Sequence, residues 1–227
     1  MSATACLQLK DVERVYDDGH PIHALRPTDL DIFAGDYVTI TGASGSGKST
    51  LLNILGLLDR PTAGSYQFGG IDIAAAGEKV RGAVRGQKFG FVFQSYHLVL
   101  RRSALENVEL GMLYGPHRAR RRRDVAAEAL ERIGLSHRMH ADPRQMSGGE
   151  RQRIAIARAI ATRPSVLFCD EPTGNLDSQN TANVLDVLQE LHRDGLTVVV
   201  VTHDAHVASV GTRRLSVTDG RVREEQR

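Results

Sequence analysis

The chain has 227 residues, of which 41% are hydrophobic and 25% are charged. This length and composition suit one globular domain with a sizeable core and exclude wholesale disorder. The formal net charge of +2 excludes the strong positive field that nucleic-acid-binding proteins usually carry, so we expect no nucleic-acid partner.

The first predicted elements are strands. Leu7, Leu9 and Val12 alternate with polar residues, and Leu30 and Ile32 belong to a second strand, with a turn at 17–19 between the two. The pattern predicts an antiparallel β subdomain at the front of the chain. The apolar run 37–41 that follows is interpreted as a further strand.

A complete phosphate-loop pattern, G-x-x-x-x-G-K-[ST], follows that run. Leu51, Leu52 and Leu55 then form a helix face, so the pattern lies between a strand and a helix, as the motif requires. Its glycines turn backbone N–H groups toward phosphate oxygens, Lys48 reaches the β- and γ-phosphates, and Ser49 holds Mg²⁺. The alternative is a glycine-rich turn that merely precedes a helix. The predicted nucleoside triphosphate site contains Gly42, Ala43, Ser44, Gly45, Ser46, Gly47, Lys48, Ser49 and Thr50.

The middle of the chain changes from strands to helices. The pattern predicts a turn and hairpin over 60–70, a polar helix over 77–88, a buried strand over 89–93, and helices over 104–112 and 124–133 with Gly115 and Pro116 between them. We therefore predict a single domain over 1–227. Its α/β core and antiparallel subdomain cover about 1–94 and 165–227, and an inserted helical subdomain covers about 95–164.

A basic run near the second of these helices has two interpretations. Ala126, Leu130 and Ile133 follow it at helical spacing, which favours a solvated helix start. A patch facing anionic lipid headgroups or a partner is the alternative. The run consists of Arg118, Arg120, Arg121, Arg122 and Arg123.

Two consecutive glycines mark the start of the next predicted helix. Ser147 and Glu150, three residues apart, form a capping box. A capping box does not explain Gly148 and Gly149, which weaken a helix but expose backbone N–H groups at its positive end. We therefore predict a second anion site, which binds the γ-phosphate of a nucleotide held by another subunit.

Two acids follow the predicted buried strand 166–169. Asp170 and Glu171 are expected at the C-terminal edge of a parallel sheet, where α/β proteins bind ligands. We assign Asp170 to Mg²⁺ and Glu171 to proton abstraction from the attacking water. The remaining predictions are a helix over 184–191, a central strand over 197–201, a strand near Leu215 and Val217, a turn at 219–220, and a frayed charged tail from Arg221.

The order S-G-G-E-x-Q-R before D-E-P-T-x-x-L-D, behind a phosphate loop, resembles the nucleotide-binding subunit of ATP-binding cassette (ABC) transporters over nearly the whole chain. The resemblance implies an α/β fold, with a P-loop NTPase core and a mostly parallel sheet, and it implies ATP and Mg²⁺ as cofactors. It makes 147–152 the signature motif, 166–171 the Walker B strand, and 174–177 the loop that meets the opposite subunit. The nucleotide-binding residues therefore also include Ser147, Gly148, Gly149, Gln152 and Asp177.

Three further residues receive their roles from this resemblance. Gln94 resembles the glutamine that senses Mg²⁺ and the membrane partner, and His203 resembles the switch histidine that contacts the γ-phosphate. Tyr16 stands where the family places an aromatic that stacks on adenine, and the alternative for Tyr16 is a core aromatic. Gln94 and His203 join Lys48 and Glu171 in the predicted catalytic set.

Four segments, 22–25, 53–62, 104–108 and 171–178, together resemble the MacB, LolD and FtsE group. This implies a head-to-tail pair with a second ATPase subunit, as a homodimer or close heterodimer, and an integral membrane permease subunit that exports peptide, drug, lipid or lipoprotein. An FtsE-like driver of cell-wall hydrolysis and a soluble, non-transport cassette ATPase are the alternatives. Either a coupling helix of the permease or the helical subdomain itself covers an apolar patch of Tyr96, Leu98, Val99 and Leu100.

Several negative features predict the location of the protein. The N-terminus lacks the charged and apolar regions of a signal peptide, and no apolar stretch reaches the roughly 20 residues that span a bilayer. Cys6 and Cys169 have no metal-ligand spacing and fit a reducing cytosol, and Cys169 is expected to be a small buried hydrophobe. We therefore expect a peripheral protein at the cytoplasmic face of the cell membrane, attached through its membrane partner.

Overall fold

A computed structural model describes residues 5–17, 19–113 and 119–225. The chain divides into two units, Met1–Arg85 with Thr197–Arg227, and Gly86–Leu196. The predicted helical subdomain, 95–164, falls within the second unit, and its bounds stay a prediction. Of the helices described, none is long and apolar enough to cross a membrane.

The first unit contains an antiparallel sheet at the front of the chain. Its strands are β1 (Ala5–Asp17), β2 (Pro21–Phe33), β4 (Ala63–Phe68) and β5 (Ile71–Asp72), in the order β2-β1-β4-β5. Leu7, Leu9 and Ile32 alternate with more exposed residues and are at most 1% exposed. The predicted antiparallel strands are therefore present, and both extend further toward their connecting turn than the apolar residues indicated. Asp18 of that turn lies outside the described residues.

The first unit also holds the strand that precedes the phosphate loop. β3 (Tyr37–Thr41) pairs in parallel with both β8 (Thr197–Val201) and β9 (Arg213–Thr218), and β10 (Arg221–Glu224) is antiparallel to β9. Every residue of β8 is buried, as its β-branched run predicted. The helices that begin in this unit are α1 (Lys48–Leu55), α2 (Glu78–Lys88) and α7 (Ala205–Ser209).

The expectation of a frayed tail from Arg221 is wrong for the described residues. Arg221–Glu224 forms β10 and is paired in register with β9. Across that pair, Arg213 Nε and Nη2 donate to the two carboxylate oxygens of Glu224 at 2.7 and 2.9 Å, and Arg213 Nη1 donates to Asp36 Oδ2 at 2.6 Å. This bidentate ion pair holds in place a charged strand that was expected to be frayed. Residues 226–227 lie outside the described part.

The second unit combines two parallel strands with helices. β6 (Phe89–Phe93) pairs in parallel with β7 (Val166–Asp170). The helices are α3 (Ala104–Leu110), α4 (Ala119–Arg132), α5 (Gly148–Ile160) and α6 (Ser178–Arg193), with short 3₁₀ turns at Ser136–Arg138 and Pro143–Gln145. Cys169 in β7 is fully buried, as expected, and its burial raises the pKa of the thiol.

Helix α4 begins five residues earlier than the predicted residue 124. Arginine is a good helix former, so the described part of the basic run lies within the first turns of α4 and does not precede the helix. Arg121 and Arg123 are exposed, in agreement with a solvated helix start. Gly115, Pro116 and Arg118 lie outside the described residues, as does the side chain of Arg120.

Candidate active site

The phosphate loop connects β3 to α1, as predicted. Lys48 is the first residue of α1, and its Nζ donates to the carbonyl oxygens of Gly42 and Ala43 at 2.9 and 2.8 Å. The ammonium group is therefore held across the loop, next to the backbone that is expected to cradle phosphate. The N-cap residue, Gly47, has a φ of 110°, a conformation that favours glycine.

Two loop glycines are required by close backbone approach. A Cβ atom on Gly42 would overlap the carbonyl oxygen of Val217, and one on Gly47 would overlap the carbonyl oxygen of Ala24. Side chains at these positions would push the loop away from the strands beneath it. The glycines therefore fit a loop whose backbone N–H groups, and not side chains, surround an anion.

A pocket of about 530 Å³ lies over this loop and the start of α1. Residues 45–50 of the loop and helix form one wall. The others are formed by Ile22, His23, Ala24 and Arg26 of β2 and by Asp219 and Gly220 of the turn after β9. The lysine, the arginine and the first amides of α1 make it a cationic pocket that fits a triphosphate.

The predicted switch histidine emerges beside the loop. β3 and β8 are parallel neighbours with Ile40 opposite Val201, and the Thr202 amide donates to Ile40 O at 3.0 Å. His203 follows directly and is exposed. Within the first unit, the phosphate loop and His203 therefore leave the same edge of the sheet, at adjacent strand ends.

In the second unit, three other predicted residues lie at the carboxyl ends of two parallel strands, namely Gln94, Asp170 and Glu171. Phe93 of β6 is opposite Asp170 of β7, so Gln94 and Glu171 are the next residues on neighbouring strands. Glu171 has a φ of 48°, in the left-handed region that side-chain-bearing residues rarely adopt. Such strain, of order 1 to 3 kcal/mol, persists where the surrounding structure enforces it and often marks a functional position.

Gln94 is held by the loop that follows Glu171. Its Nε2 donates to Asn175 Oδ1 at 3.2 Å, and Asn175 Nδ2 donates to the backbone oxygen of Gln94, also at 3.2 Å. A Cβ atom on Gly174 would lie 2.7 Å from Gln94 Nε2, so a side chain at this position would displace the Gln94 amide. The structure therefore links the predicted Mg²⁺-sensing glutamine to the loop 174–177.

The signature helix begins with the predicted capping box. Ser147 Oγ accepts from the Glu150 amide at 3.1 Å, and Glu150 Oε2 accepts from the Ser147 amide at 2.8 Å. Burial raises the pKa of Glu150, but the Ser147 amide and the nearby Arg138 guanidinium outweigh it, so the pKa lies below its usual value. Ser147 is exposed, and Met146 is buried before it.

Gly149 has a packing reason that the sequence did not reveal. A Cβ atom there would lie 2.6 Å from Cγ and 2.9 Å from Cβ of Asn180, at the start of α6. Asn180 donates through its amide to Asp177 Oδ1 at 2.8 Å and through Nδ2 to Asp177 Oδ2 at 2.7 Å. These two bonds also hold the pKa of Asp177 below its usual value. Gly149 thus permits close contact between the starts of α5 and α6.

Gly149→Ala is expected to lower the free energy of unfolding by about 1 to 3 kcal/mol, because α6 must shift to accept the methyl group. Chemical denaturation of the purified variant measures the change. Gly82→Ala is the matched control, since the atom nearest to a Cβ there is Arg85 Nη2 at 3.8 Å. The control should be neutral or more stable by up to about 1 kcal/mol. Equal stability of the two variants would contradict the packing role of Gly149.

Two predicted nucleotide-binding residues lie in more enclosed places than the sequence indicated. Gln152 is fully buried, and its Nε2 is 3.5 Å from the carbonyl oxygen of Phe93. This position favours a structural link between α5 and the end of β6 over direct contact with a nucleotide. Tyr16 is half-buried, and its hydroxyl donates to Asp59 Oδ2 at 2.7 Å.

Sequence reasoning missed Asn107 and Arg158. Asn107 is fully buried in α3 and bonds through Oδ1 to the Val99 amide at 2.7 Å and through Nδ2 to three backbone oxygens. Arg158 of α5 donates to the backbone oxygens of Tyr96 and His97. A polar residue on an otherwise apolar helix face was the available signal for Asn107. Together these two side chains fix the segment that follows Gln94.

The chain is similar in sequence to known proteins. A profile of the family described as ABC transporter matches residues 25–174. An uncharacterized ABC transporter ATP-binding protein of Thermotoga maritima is 48% identical over 95% of this chain and 93% of its own length. The macrolide export ATP-binding/permease protein MacB of Chlorobium luteolum is 46% identical over 99% of this chain, which covers 34% of MacB. This chain therefore spans about a third of that relative.

Solved structures are similar to it as well. The ATP-binding cassette MJ0796, solved as a dimer in a post-hydrolysis state bound to ADP and Pi, matches with a TM-score of 0.87 and 42% identity over 97% of this chain and 98% of that one. The Clostridium perfringens protein cbiO1, part of the transporter complex cbiONQ, matches with a TM-score of 0.86 and 28% identity over 96% and 87%. These matches confirm the predicted fold class.

Proposed function

This chain belongs to the ABC transporter family and is an ATP-binding ATPase, and from that premise we propose that it closes head-to-tail with a second cassette. Each nucleotide then lies between the phosphate loop of one chain and the signature motif of the other. The second cassette is another copy or a close relative. The MJ0796 cassette, 42% identical, was solved as a dimer bound to ADP and Pi, which supports the pairing of two cassettes.

The observation that carries the proposal is the start of α5. The first N–H groups of a helix have no acceptor within it, and here they belong to Gly148 and Gly149, behind the exposed cap Ser147. Such a helix end attracts anions. The phosphate loop already supplies its own helix end, so α5 is best explained as the contact for a γ-phosphate on the opposite chain.

The other predicted residues have roles in hydrolysis under this proposal. Lys48 and the loop amides bind the β- and γ-phosphates, and His203 contacts the γ-phosphate. Glu171 takes the proton from the attacking water, and Gln94 orients the site through its contact with the loop 174–177. Loss of the γ-phosphate removes the contact that favours the closed dimer, so hydrolysis reopens it.

We also propose Mg²⁺ as the cofactor. Within the described residues, no group of three or more His, Cys, Asp or Glu side chains is placed to hold a metal ion. Mg²⁺ needs no such group, because it usually binds through substrate phosphates and one or two carboxylates. Asp170 would supply the carboxylate, and Ser49 and Gln94 would be the other protein ligands. When bound, the ion neutralises charge on the phosphate oxygens.

The proposed membrane partner is a separate permease subunit of the MacB or LolD type, which would place the cassette at the cytoplasmic face of the membrane. The MacB relatives carry ATP-binding and permease parts in one protein, and this chain covers a third of their length. The cargo that we propose for this permease is a peptide, drug, lipid or lipoprotein. An open groove of about 510 Å³ in the second unit is the proposed docking site.

This groove has an apolar floor and a charged rim. Val99, Leu110 and Leu113 are 46%, 38% and 50% exposed. Around them lie the Arg102–Glu106 ion pair, with an N to O distance of 2.8 Å, and Glu109 and Arg122. An apolar centre within a charged rim is typical of a protein interface, and the composition suits an amphipathic helix of the permease.

Leu113→Glu is expected to weaken binding to the permease at least about tenfold, because a charge would be buried at the apolar centre of the interface. Intrinsic ATP turnover should remain unchanged. The measurement is binding of the purified chain to nanodiscs that hold a permease subunit to which the wild-type chain binds. Leu58→Glu, at a residue that is 45% exposed in the first unit, is the control. Wild-type binding by Leu113→Glu would rule out this groove.

A further inference from the structure

The segment 59–62, which begins four residues after the last residue of α1, binds the end of β1. Thr62 donates through its amide and its Oγ1 to the carbonyl oxygen of Glu13, at 2.8 and 3.1 Å. The same Oγ1 accepts from the Val15 amide at 3.2 Å. The sequence predicted a turn here and a subgroup resemblance, whereas the structure shows that the segment is hydrogen-bonded to β1 just before Tyr16.

Asp59 completes this attachment through side chains. Its Oδ2 accepts from the Tyr16 hydroxyl at 2.7 Å, and its Oδ1 lies 3.0 Å from Arg14 Nη2. The Arg14 guanidinium carbon lies 4.3 Å from the centre of the Tyr16 ring, in a cation–π contact. Arg14, Tyr16 and Asp59 thus form a closed triangle, which restrains the position and the orientation of the ring.

Two backbone hydrogen bonds hold Asp59, and with it the triangle, in place. The Asp59 amide donates to Asn53 O of α1 at 3.1 Å, and its carbonyl oxygen accepts from Arg81 Nη2 at 2.8 Å. Arg81 is 1% exposed and also donates to the carbonyl oxygens of Leu57 and Ile73. The carboxylate that holds Tyr16 is therefore connected to the helix that begins at Lys48.

Strand register places Tyr16 beside the cationic pocket. Tyr16 is directly opposite Ile22 in the β1–β2 pair, and Ile22, 64% exposed, lines the pocket with residues 45–50. Directly opposite residues of an antiparallel pair point to the same face. The Tyr16 side chain therefore lies on the same face of the sheet as Ile22, next to the β2 wall of the pocket.

We propose that Arg14 and Asp59 are positioning residues, which hold the Tyr16 ring in place to stack on the adenine of ATP. The proposal rests on the assignment of Tyr16 to the base. Arg14 covers one face of the ring, so the base stacks on the other. A ring that is already ordered loses little rotamer freedom when the base binds, which strengthens binding of the base without altering the phosphate site.

The test compares ATP with inorganic tripolyphosphate, which has the phosphates and no base. Dissociation constants for both are measured by isothermal titration calorimetry on the full chain with Mg²⁺. Asp59→Ala, Arg14→Ala and Tyr16→Phe should each weaken ATP binding by about three- to tenfold and leave tripolyphosphate binding unchanged. Tyr16→Ala, which removes the ring, should weaken ATP binding by roughly 5- to 150-fold.

Coupling and a matched control sharpen the test. Tyr16→Phe should add little in the Asp59→Ala background, since both remove the same hydrogen bond. Asp194→Ala breaks an ion pair with Arg132 in the second unit and should leave both ligands unaffected. Tyr16→Phe keeps the shape of the ring, so it remains informative if Asp59→Ala does not fold.

Three results would overturn the inference. Parallel weakening of ATP and tripolyphosphate would show that the triangle only supports the fold. Unchanged or tighter ATP binding by Arg14→Ala would show that Arg14 does not position the ring or blocks the face that the base needs. If Tyr16→Ala itself leaves the preference for ATP intact, the assignment of Tyr16 to the base fails, and the positioning role fails with it.

Discussion

Glu171→Gln is expected to lower ATP turnover at least about 100-fold, because the amide keeps the shape of the side chain but cannot accept a proton from water. Glu171 directly follows β7, next to the strand end that carries Gln94. The substitution leaves the phosphate loop and its lysine unchanged. ATP should therefore still bind and, under the proposed mechanism, hold the variant as a closed dimer that cannot reopen by hydrolysis.

Two measurements on the purified variant test this expectation. Phosphate release gives turnover, and analytical ultracentrifugation with ATP and with ADP gives the fraction of dimer. Glu128→Gln is the control, since Glu128 is 65% exposed in the same unit and carries no proposed role. Near wild-type turnover by Glu171→Gln would remove Glu171 as the base. Low turnover without an ATP-dependent dimer would leave the base assignment intact and contradict closure by ATP.

Patterns confined to neighbouring residues predicted much of the fold and of the site. The phosphate loop lies between β3 and α1, and Ser147 and Glu150 form the capping box that their spacing indicated. The β-branched run 197–201 is a fully buried strand. Each of these depends on spacing, local geometry or strand propensity, which are properties that the order of residues expresses directly.

Features that depend on distant residues could not be predicted. Tyr16 bonds to Asp59, 43 positions away, so the choice between a core aromatic and an adenine platform had no local signal. Gly149 makes room for Asn180, although its sequence context indicated only an anion site. Strand β10 depends on the contact of Glu224 with Arg213. Such pairings become visible only when the fold brings the partners together.

Within the candidate site, too, local patterns predicted some positions, and contacts between distant residues determine others. Each unit places its own predicted residues at adjacent strand ends, with the phosphate loop and His203 in the first and Gln94 and Glu171 in the second. Parallel neighbours end at one edge, so strand patterns were sufficient to predict this clustering. The position of Gln152 could not be predicted in this way, because its side chain is buried against the end of β6.

Mixing two inactive variants is expected to restore activity if the nucleotide lies between chains. Lys48→Ala disables the phosphate loop of its own chain, and Ser147→Arg places a bulky cation where the signature of that chain meets the nucleotide of the other. A dimer with one variant of each kind then has one site with both changes and one intact site. Random pairing makes about half of the dimers mixed, so turnover should reach up to about a quarter of wild type.

A double variant provides the decisive comparison. When Lys48→Ala and Ser147→Arg are on one chain, pairing with wild type spoils both sites of the mixed dimer, so activity should fall below that expected from dilution. Ser103→Arg controls for the lost helix cap, since Ser103 forms the same capping box on α3 with Glu106. It should lose stability and keep turnover. Failure of the two single variants to complement, with folded proteins that still dimerise, would place each nucleotide within one chain and refute the shared site.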